Sequence, residues 1–288
     1  MPWRPHLPVM CATTQRVAAR LGGRVAGSIV RSCTELHDES ARGSHFRSGM
    51  RTLLVLLGLL IAACGVEGED RGSDEPWDYE VDSPDGKADG VPAAFDRNRL
   101  VDDDVFVDDG SFTVAEVQSF LAHSPYGTRS WLADYKIDGV SAAQLIVDAA
   151  RAEDIHPIML LARMQGEASL VSKTTRPSTT RINAALGCGC PDGSACSSQY
   201  RGFANQLSCG AQVMRRWYDA SVDGSGQWRL GVSRRTLDPL TVTPRNHATA
   251  ALYAYTPWVL EGRGGGWLLW NVARKYVRFA TAKGYIAP

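Results

Sequence analysis

The chain has 288 residues, 44% of them hydrophobic, and its 31 Lys and Arg balance its 31 Asp and Glu to a formal charge of zero. That apolar share supports a sizeable core, the length allows one large domain or two ordinary ones, and the zero balance implies no global attraction to nucleic acid. The balance hides a polarity. Acids dominate from Glu67 to Asp109 and bases from Arg215 to Lys283, so the second half either favours an anionic ligand or carries a solvated basic surface.

Met50, Arg51 and Thr52 precede an apolar run, Leu53 to Ala63, that ends at Cys64. A basic start, an apolar stretch and small residues before a break point are the pattern of a signal peptide. The run is too short to span a bilayer comfortably. Ile61-Ala62-Ala63-Cys64 resembles a bacterial lipobox, in which the Cys is diacylated and becomes the mature N-terminus. An ordinary signal peptide with a chance Cys is the alternative. Residues 1–49 are Arg-rich and lack apolar patterning. They are expected to be an upstream extension absent from the mature protein, or else an Arg-rich transit segment. Residues 50–63 are then the signal peptide and 64–103 an acidic tether, too rich in Gly, Asp and Pro to bury much surface. Aspartates cluster before Gly110, but their spacing does not match a calcium loop. No metal is expected.

The folded domain is expected over 104–288. Thr113 and Glu116 form a capping-box pattern that opens a helix along VAEVQSFLA, and Ser141 with Gln144 opens a second one. Pro157 suits the first turn of a third helix, from His156 to Ser172, with Ile158, Leu161, Ala162 and Gln165 on one face. A polar, Gly- and Cys-rich segment covers 173–198. A helix follows from Tyr200 to Tyr218, then a looser stretch, 229–242, that suits a short strand pair. Thr243 caps the next helix, with Pro244 at its first position; that helix must end before Pro257. Gly264 to Gly266 precede a final amphipathic helix stopped by Gly284. Trp267 and Trp270 on it read as core. No internal repeat is present, and the sum is a mostly α single domain of about 180 residues.

Of seven cysteines, Cys188, Cys190, Cys196 and Cys209 remain after the two upstream of Met50 and the lipidation candidate Cys64. An even number in an exported chain implies disulfides. Zinc is the alternative, but paired C-x2-C knuckles are missing. Cys188 and Cys190 are too close to pair comfortably; the preferred bonds are Cys190–Cys196, closing a small loop, and Cys188–Cys209, tying it to the next helix, with the connectivity left open by the sequence.

Glu167 ends the His156 helix directly after Gly166. Alone and desolvated there, it would stay protonated near neutrality, as a general acid requires; otherwise it is a solvated residue at a fraying end. His156 and His247 have no partner pattern for a metal or a triad, and Ser169 lacks a nucleophile-elbow setting.

In order, the segments MQGEASLVS, ALGCGCPDGSACSSQYRGFANQLSCGA, NHATAALYAYTP and GGGWLLWNVARKY resemble a lysozyme-like domain of bacterial exported proteins. FTVAEVQSFL matches its first helix. The resemblance covers roughly residues 104 to 280. It implies a lysozyme-like (α+β) fold with a small disulfide-stapled loop. That family is similar to soluble lytic transglycosylases and related peptidoglycan hydrolases. The resemblance therefore implies Glu167 as the catalytic acid and Leu252 to Thr256 as part of the sugar cleft. Two features depart from the transglycosylases: Ala168 stands where Ser usually follows the Glu, and Gly187-Cys188-Gly189-Cys190 replaces their GLMQ segment. Candidate sugar contacts are Gln165, Gln199, Tyr200, Asn205, Gln206, Tyr253, Tyr255 and Thr256. Asp192, the only second acid at hand, suits a turn better. A lytic route needs no second acid. The implied protein is a monomeric, lipid-anchored lytic transglycosylase or glycosidase at the bacterial cell envelope. Its partners are peptidoglycan glycan strands and, through Cys64, a membrane, and it has no cofactor. The rival readings are a non-catalytic glycan-binding module and a structural lipoprotein.

Overall fold

The structure is a computed structural model, and it describes residues 90–107, 110–191 and 195–287. The signal segment, Cys64, most of the tether and Asp192 lie outside the described residues. The described residues are mostly helical. In chain order they form α1 (Asp103–Phe106), α2 (Val114–Ala122), a hairpin of β1 (Lys136–Ile137) and β2 (Val140–Ser141), α3 (Ala142–Arg151), α4 (Pro157–Ala168), α5 (Thr179–Asn183), α6 (Phe203–Val222), a hairpin of β3 (Arg234–Arg235) and β4 (Thr241–Val242), α7 (His247–Tyr255) and α8 (Gly265–Ala282). Both hairpins are antiparallel, pairing Ile137 with Val140 and Arg235 with Thr241.

α4 is the axis of the fold. Every residue from Pro157 to Gln165 is buried, and α1, α3, α6 and α8 all pack against it. A helix enclosed on all sides needs apolar residues all round rather than one stripe, which is why Met159, Leu160 and Met164 are as buried as Ile158 and Leu161. Each such side chain contributes about 1.5–3 kcal/mol by leaving water. His156 caps the helix: its Nδ1 accepts the Ile158 N–H at 3.1 Å, and its ring stacks 5.8 Å from Phe112. Pro157 follows at the first position, where the missing donor costs nothing.

The other starts follow from their caps, with two changes. Thr113 and Glu116 close a full capping box on α2. Ser141 accepts the Gln144 N–H at 3.2 Å, but the Gln144 side chain turns outward to Asp148 (2.7 Å), so only half the expected box forms. α7 is capped by Asn246 rather than Thr243, its side chain accepting the Thr249 N–H at 2.9 Å. Thr243 is engaged elsewhere, giving its N–H to Asn98 Oδ1 at 2.8 Å and sharing its hydroxyl with Ser233 at 2.6 Å.

Residues 90–103, expected in the tether, belong to the folded unit. Val91, Leu100 and Val101 are buried. The Leu100 N–H reaches Thr249 Oγ1 at 2.9 Å, the Trp270 indole donates to Pro92 O at 2.9 Å, and the Ala248 N–H donates to Asp103 Oδ1 at 2.7 Å. The acidic composition that suggested a tether continues past Gly90, but there Val91, Leu100 and Val101 interrupt it and dock.

The disulfides join Cys188 to Cys209 and Cys190 to Cys196, the pairing that the spacing suggests. The first closes a loop of 21 residues, for which chain-entropy arguments give roughly 3 kcal/mol. Gly210 beside Cys209 lets the loop lie against α6, since a Cβ there would come within 2.5 Å of Leu186 Cδ2.

Candidate functional site

Three segments distant in sequence meet at the C-terminal end of α4. Arg163 and Glu167 lie one helical turn apart, a spacing at which side chains meet, and Arg163 Nη2 binds Glu167 Oε1 at 2.5 Å. The Arg163 guanidinium also lies 4.1 Å over the Tyr255 ring, from α7. The Tyr255 hydroxyl donates to Leu186 O at 3.0 Å. Gly187, next in the chain, has a φ of +70° and sits against the Glu167 carboxylate: a Cβ there would stand 2.6 Å from Oε2. The contacts therefore close a ring, from Glu167 through Arg163 and Tyr255 to the 186–187 turn and back to Glu167.

The electrostatics follow from burial. Arg163 is 8% exposed and its Nε has no partner, so its charge is met by the Glu167 carboxylate and the Tyr255 face. The Glu167 side chain keeps 32% of its surface open to solvent. The isolated carboxyl expected from the sequence is instead half of an ion pair, and donating a proton from it requires that pair to open. Burial pushes the Tyr255 phenol up to about 12; Arg163 pulls it down and Glu167 adds to the rise. At neutral pH Tyr255 is thus a hydrogen-bond donor and not a base.

The loop that carries Gly187 is held from below by Gln206. Its Oε1 accepts the N–H groups of Leu186 and Cys188, both at 3.1 Å, and its Nε2 donates to Cys188 O and Tyr200 O, both at 2.7 Å. Four bonds from one fully buried amide satisfy backbone that has no regular structure. Expected as a sugar contact, Gln206 is a loop-organising residue with no capacity left for a ligand. Gln165 is similar: it is fully buried, its Nε2 donates to Ser172 Oγ and its Oε1 accepts the Ser172 N–H, each at 3.0 Å. It thereby fixes the turn after α4, where Ser169 adopts the left-handed conformation at φ 51°.

The remaining candidates divide. Tyr200 is half-buried, its ring lying against Gly189. Asn205 is exposed and turns its Nδ2 back to Arg201 O at 2.8 Å. Thr256 is half-buried and its carbonyl accepts the Trp258 N–H at 2.8 Å. Tyr253 is wholly buried, stacked 5.2 Å from Trp228, with its hydroxyl unpartnered and its ionisation pushed strongly up by burial; it is a core residue. Of the sugar-contact candidates, Tyr255 is thus the one that joins the ring around Glu167. His247 shares a 2.9 Å hydrogen bond with Ser221.

Sequence reasoning missed Arg163 and Gly187. The first had a signal: a single cation inside an apolar helix, four residues before an acid, has to pair with something. The second had none, because a left-handed glycine against a carboxylate is visible only in three dimensions. A separate groove of about 380 Å³ runs along α6, lined by Glu153, Gln212, Arg215, Asp219 and Asp223 among others, and contains none of the expected site residues. Among the described residues no three His, Cys, Asp or Glu side chains gather as a metal site. No family model matches the chain, and no curated protein or solved structure matches it.

Proposed function

We propose that the chain is an exported, lipid-anchored cell-envelope protein whose lysozyme-like domain cleaves peptidoglycan glycan strands between N-acetylmuramic acid and N-acetylglucosamine. Glu167 is the general acid and base. The observation that supports this is the ring itself. The Glu167, Gly187 and Tyr255 segments, the same ones that carry the resemblance to lysozyme-like domains, converge on one partly open carboxylate.

In this reading the arriving sugar competes for Arg163 and frees Glu167 to take up a proton. Glu167 then protonates the glycosidic oxygen as the bond to C1 breaks. The resulting carboxylate accepts the proton of the muramic-acid 6-hydroxyl as that oxygen attacks C1, giving an anhydro end. This route uses one carboxyl in both steps; hydrolysis would need a second one to activate or replace water. Leu186 and Gly187 limit where a sugar can approach, and Tyr255 holds that turn.

The second reading, a glycan-binding module without turnover, is favoured by the ion pair. A carboxylate clamped by Arg163 and followed by Ala168 suits accepting sugar hydroxyl bonds. Incubating the protein with peptidoglycan sacculi separates the two. Released muropeptides, reduced by about 10²-fold or more in Glu167→Gln, support the enzyme, and the mass of the products tells anhydro from hydrolysed ends. Sacculus binding that weakens in Glu167→Gln, with no release, supports the module.

A further inference from the structure

We propose that the tip formed by the β3–β4 hairpin and the turn after α7 is a membrane contact of the folded domain itself, seated on an anionic lipid surface. Leu237 is 61% exposed and Trp258 37%. Single exposed apolar residues are ordinary, but these two belong to one braced structure. The Leu237 N–H donates to Pro257 O at 2.8 Å. Asp238 Oδ1 accepts the Val259 N–H at 3.0 Å and its Oδ2 the Leu260 N–H at 2.8 Å. The turns that carry an exposed aliphatic and a partly exposed indole side chain are therefore tied to one another. Indole rings favour the headgroup level of a bilayer and leucine its acyl boundary.

Charge selects the occupant. Arg234, Arg235 and Arg263 flank the tip. Arg234 bonds to Gln227 O at 3.0 Å and to its side-chain oxygen, and Arg235 to Pro239 O at 3.3 Å. No acid pairs with any of the three among the described residues. Asp238 is taken up by the two backbone N–H groups, which leaves Glu261 as the uncommitted acid. Partial burial opposes ionisation of Asp238, but the bonds from Leu260, Thr236 and Val259 outweigh it and hold its carboxyl below the usual carboxylate range. Two protruding apolar groups with unneutralised guanidinium groups beside them complement a surface of lipid phosphates over an apolar interior. The contact is independent of any role for Glu167. It would add a second hold on the membrane to the one expected at Cys64, since a lipid anchor gains stability from a basic patch.

An apolar run such as the one before Cys64 would partition into bilayers by itself, so the test is local. Amide hydrogen exchange is followed in the full chain with vesicles of phosphatidylcholine alone and of phosphatidylcholine mixed with phosphatidylglycerol. The expected result is slower exchange over residues 234–240 and 257–263 with the anionic vesicles only, about fivefold weaker for each Arg replaced by Gln and reversed by salt. The triple variant Leu237→Ser, Trp258→Ser, Arg235→Gln should lose the protection while α4 and α6 exchange as before, which shows that the fold is intact. Equal protection with both vesicle types, protection retained in the triple variant, or protection elicited by glycan sacculi instead of vesicles would each overturn the proposal.

Discussion

Arg163 enters a largely apolar helix and is only 8% exposed, so most of its charge has to be met inside the protein. Glu167 meets it through an ion pair and Tyr255 through its ring face. Replacing Arg163 by Met leaves the carboxylate facing a buried wall. Because Glu167 is one-third exposed, the cost is discounted from that of a fully buried pair, to about 1–3 kcal/mol. Urea unfolding at neutral pH should show that loss in Arg163→Met and recover most of it in Arg163→Met with Glu167→Gln. Tyr255 offers a check through pH. An unfolded tyrosine ionises near 10, whereas Tyr255 in the fold does so at about 12. The unfolded chain therefore releases its proton first. The stability that Tyr255 contributes is complete below about pH 10 and falls as pH rises toward 12. Tyr255→Phe should remove that share of the alkaline slope, measured by unfolding across this range, together with one late-ionising phenol in ultraviolet titration. Glu167 itself was legible in the sequence as a helix-end acid. Its partner was not inferred, although a lone Arg at i−4 in an apolar helix was there to be read.

At the scale of elements, the site is a turn pressed against a helix end, and Gly187 is the point of contact. A methyl group there would both strain a backbone at φ +70° and stand 2.6 Å from the carboxylate. Gly187→Ala is expected to cost about 1–3 kcal/mol and to displace Glu167. If the proposed chemistry holds, muropeptide release should fall by more than the loss of folded protein accounts for, as measured on sacculi beside a thermal melt. The elements themselves were readable to different degrees for physical reasons. Thr113 and Ser141 act through bonds to residues three positions on, so local sequence suffices to find them. Asn246 displaced Thr243 as the α7 cap because Thr243 is drawn off by Asn98, 145 residues earlier. Gln206 was expected as a sugar contact; its burial depends on the disulfide loop folding over it. The cysteine pairing was legible because the chain between Cys190 and Cys196 is so short.

For the whole molecule, the core was predictable in kind but not in extent. The long apolar stretch around α4 marks a centre, yet nothing local says that α1, α3, α6 and α8 all close on it, or that residues 90–103 join them. Those residues are fastened almost entirely to the far end of the chain: Leu100 to Thr249, 149 residues away, and Pro92 to Trp270, 178 residues away. A chain cut after Gly264 loses α8 and with it the cover of α4 and the anchor of Pro92. It is expected to show no cooperative unfolding transition by circular dichroism. The same arrangement sets an order in time. The first folded residues to be synthesised wait for the last two helices, α7 and α8, before their hydrogen-bond partners exist. The domain therefore cannot complete itself piecemeal as it emerges. If the export proposed above holds, such late closure suits a chain that is threaded through a narrow passage before it folds.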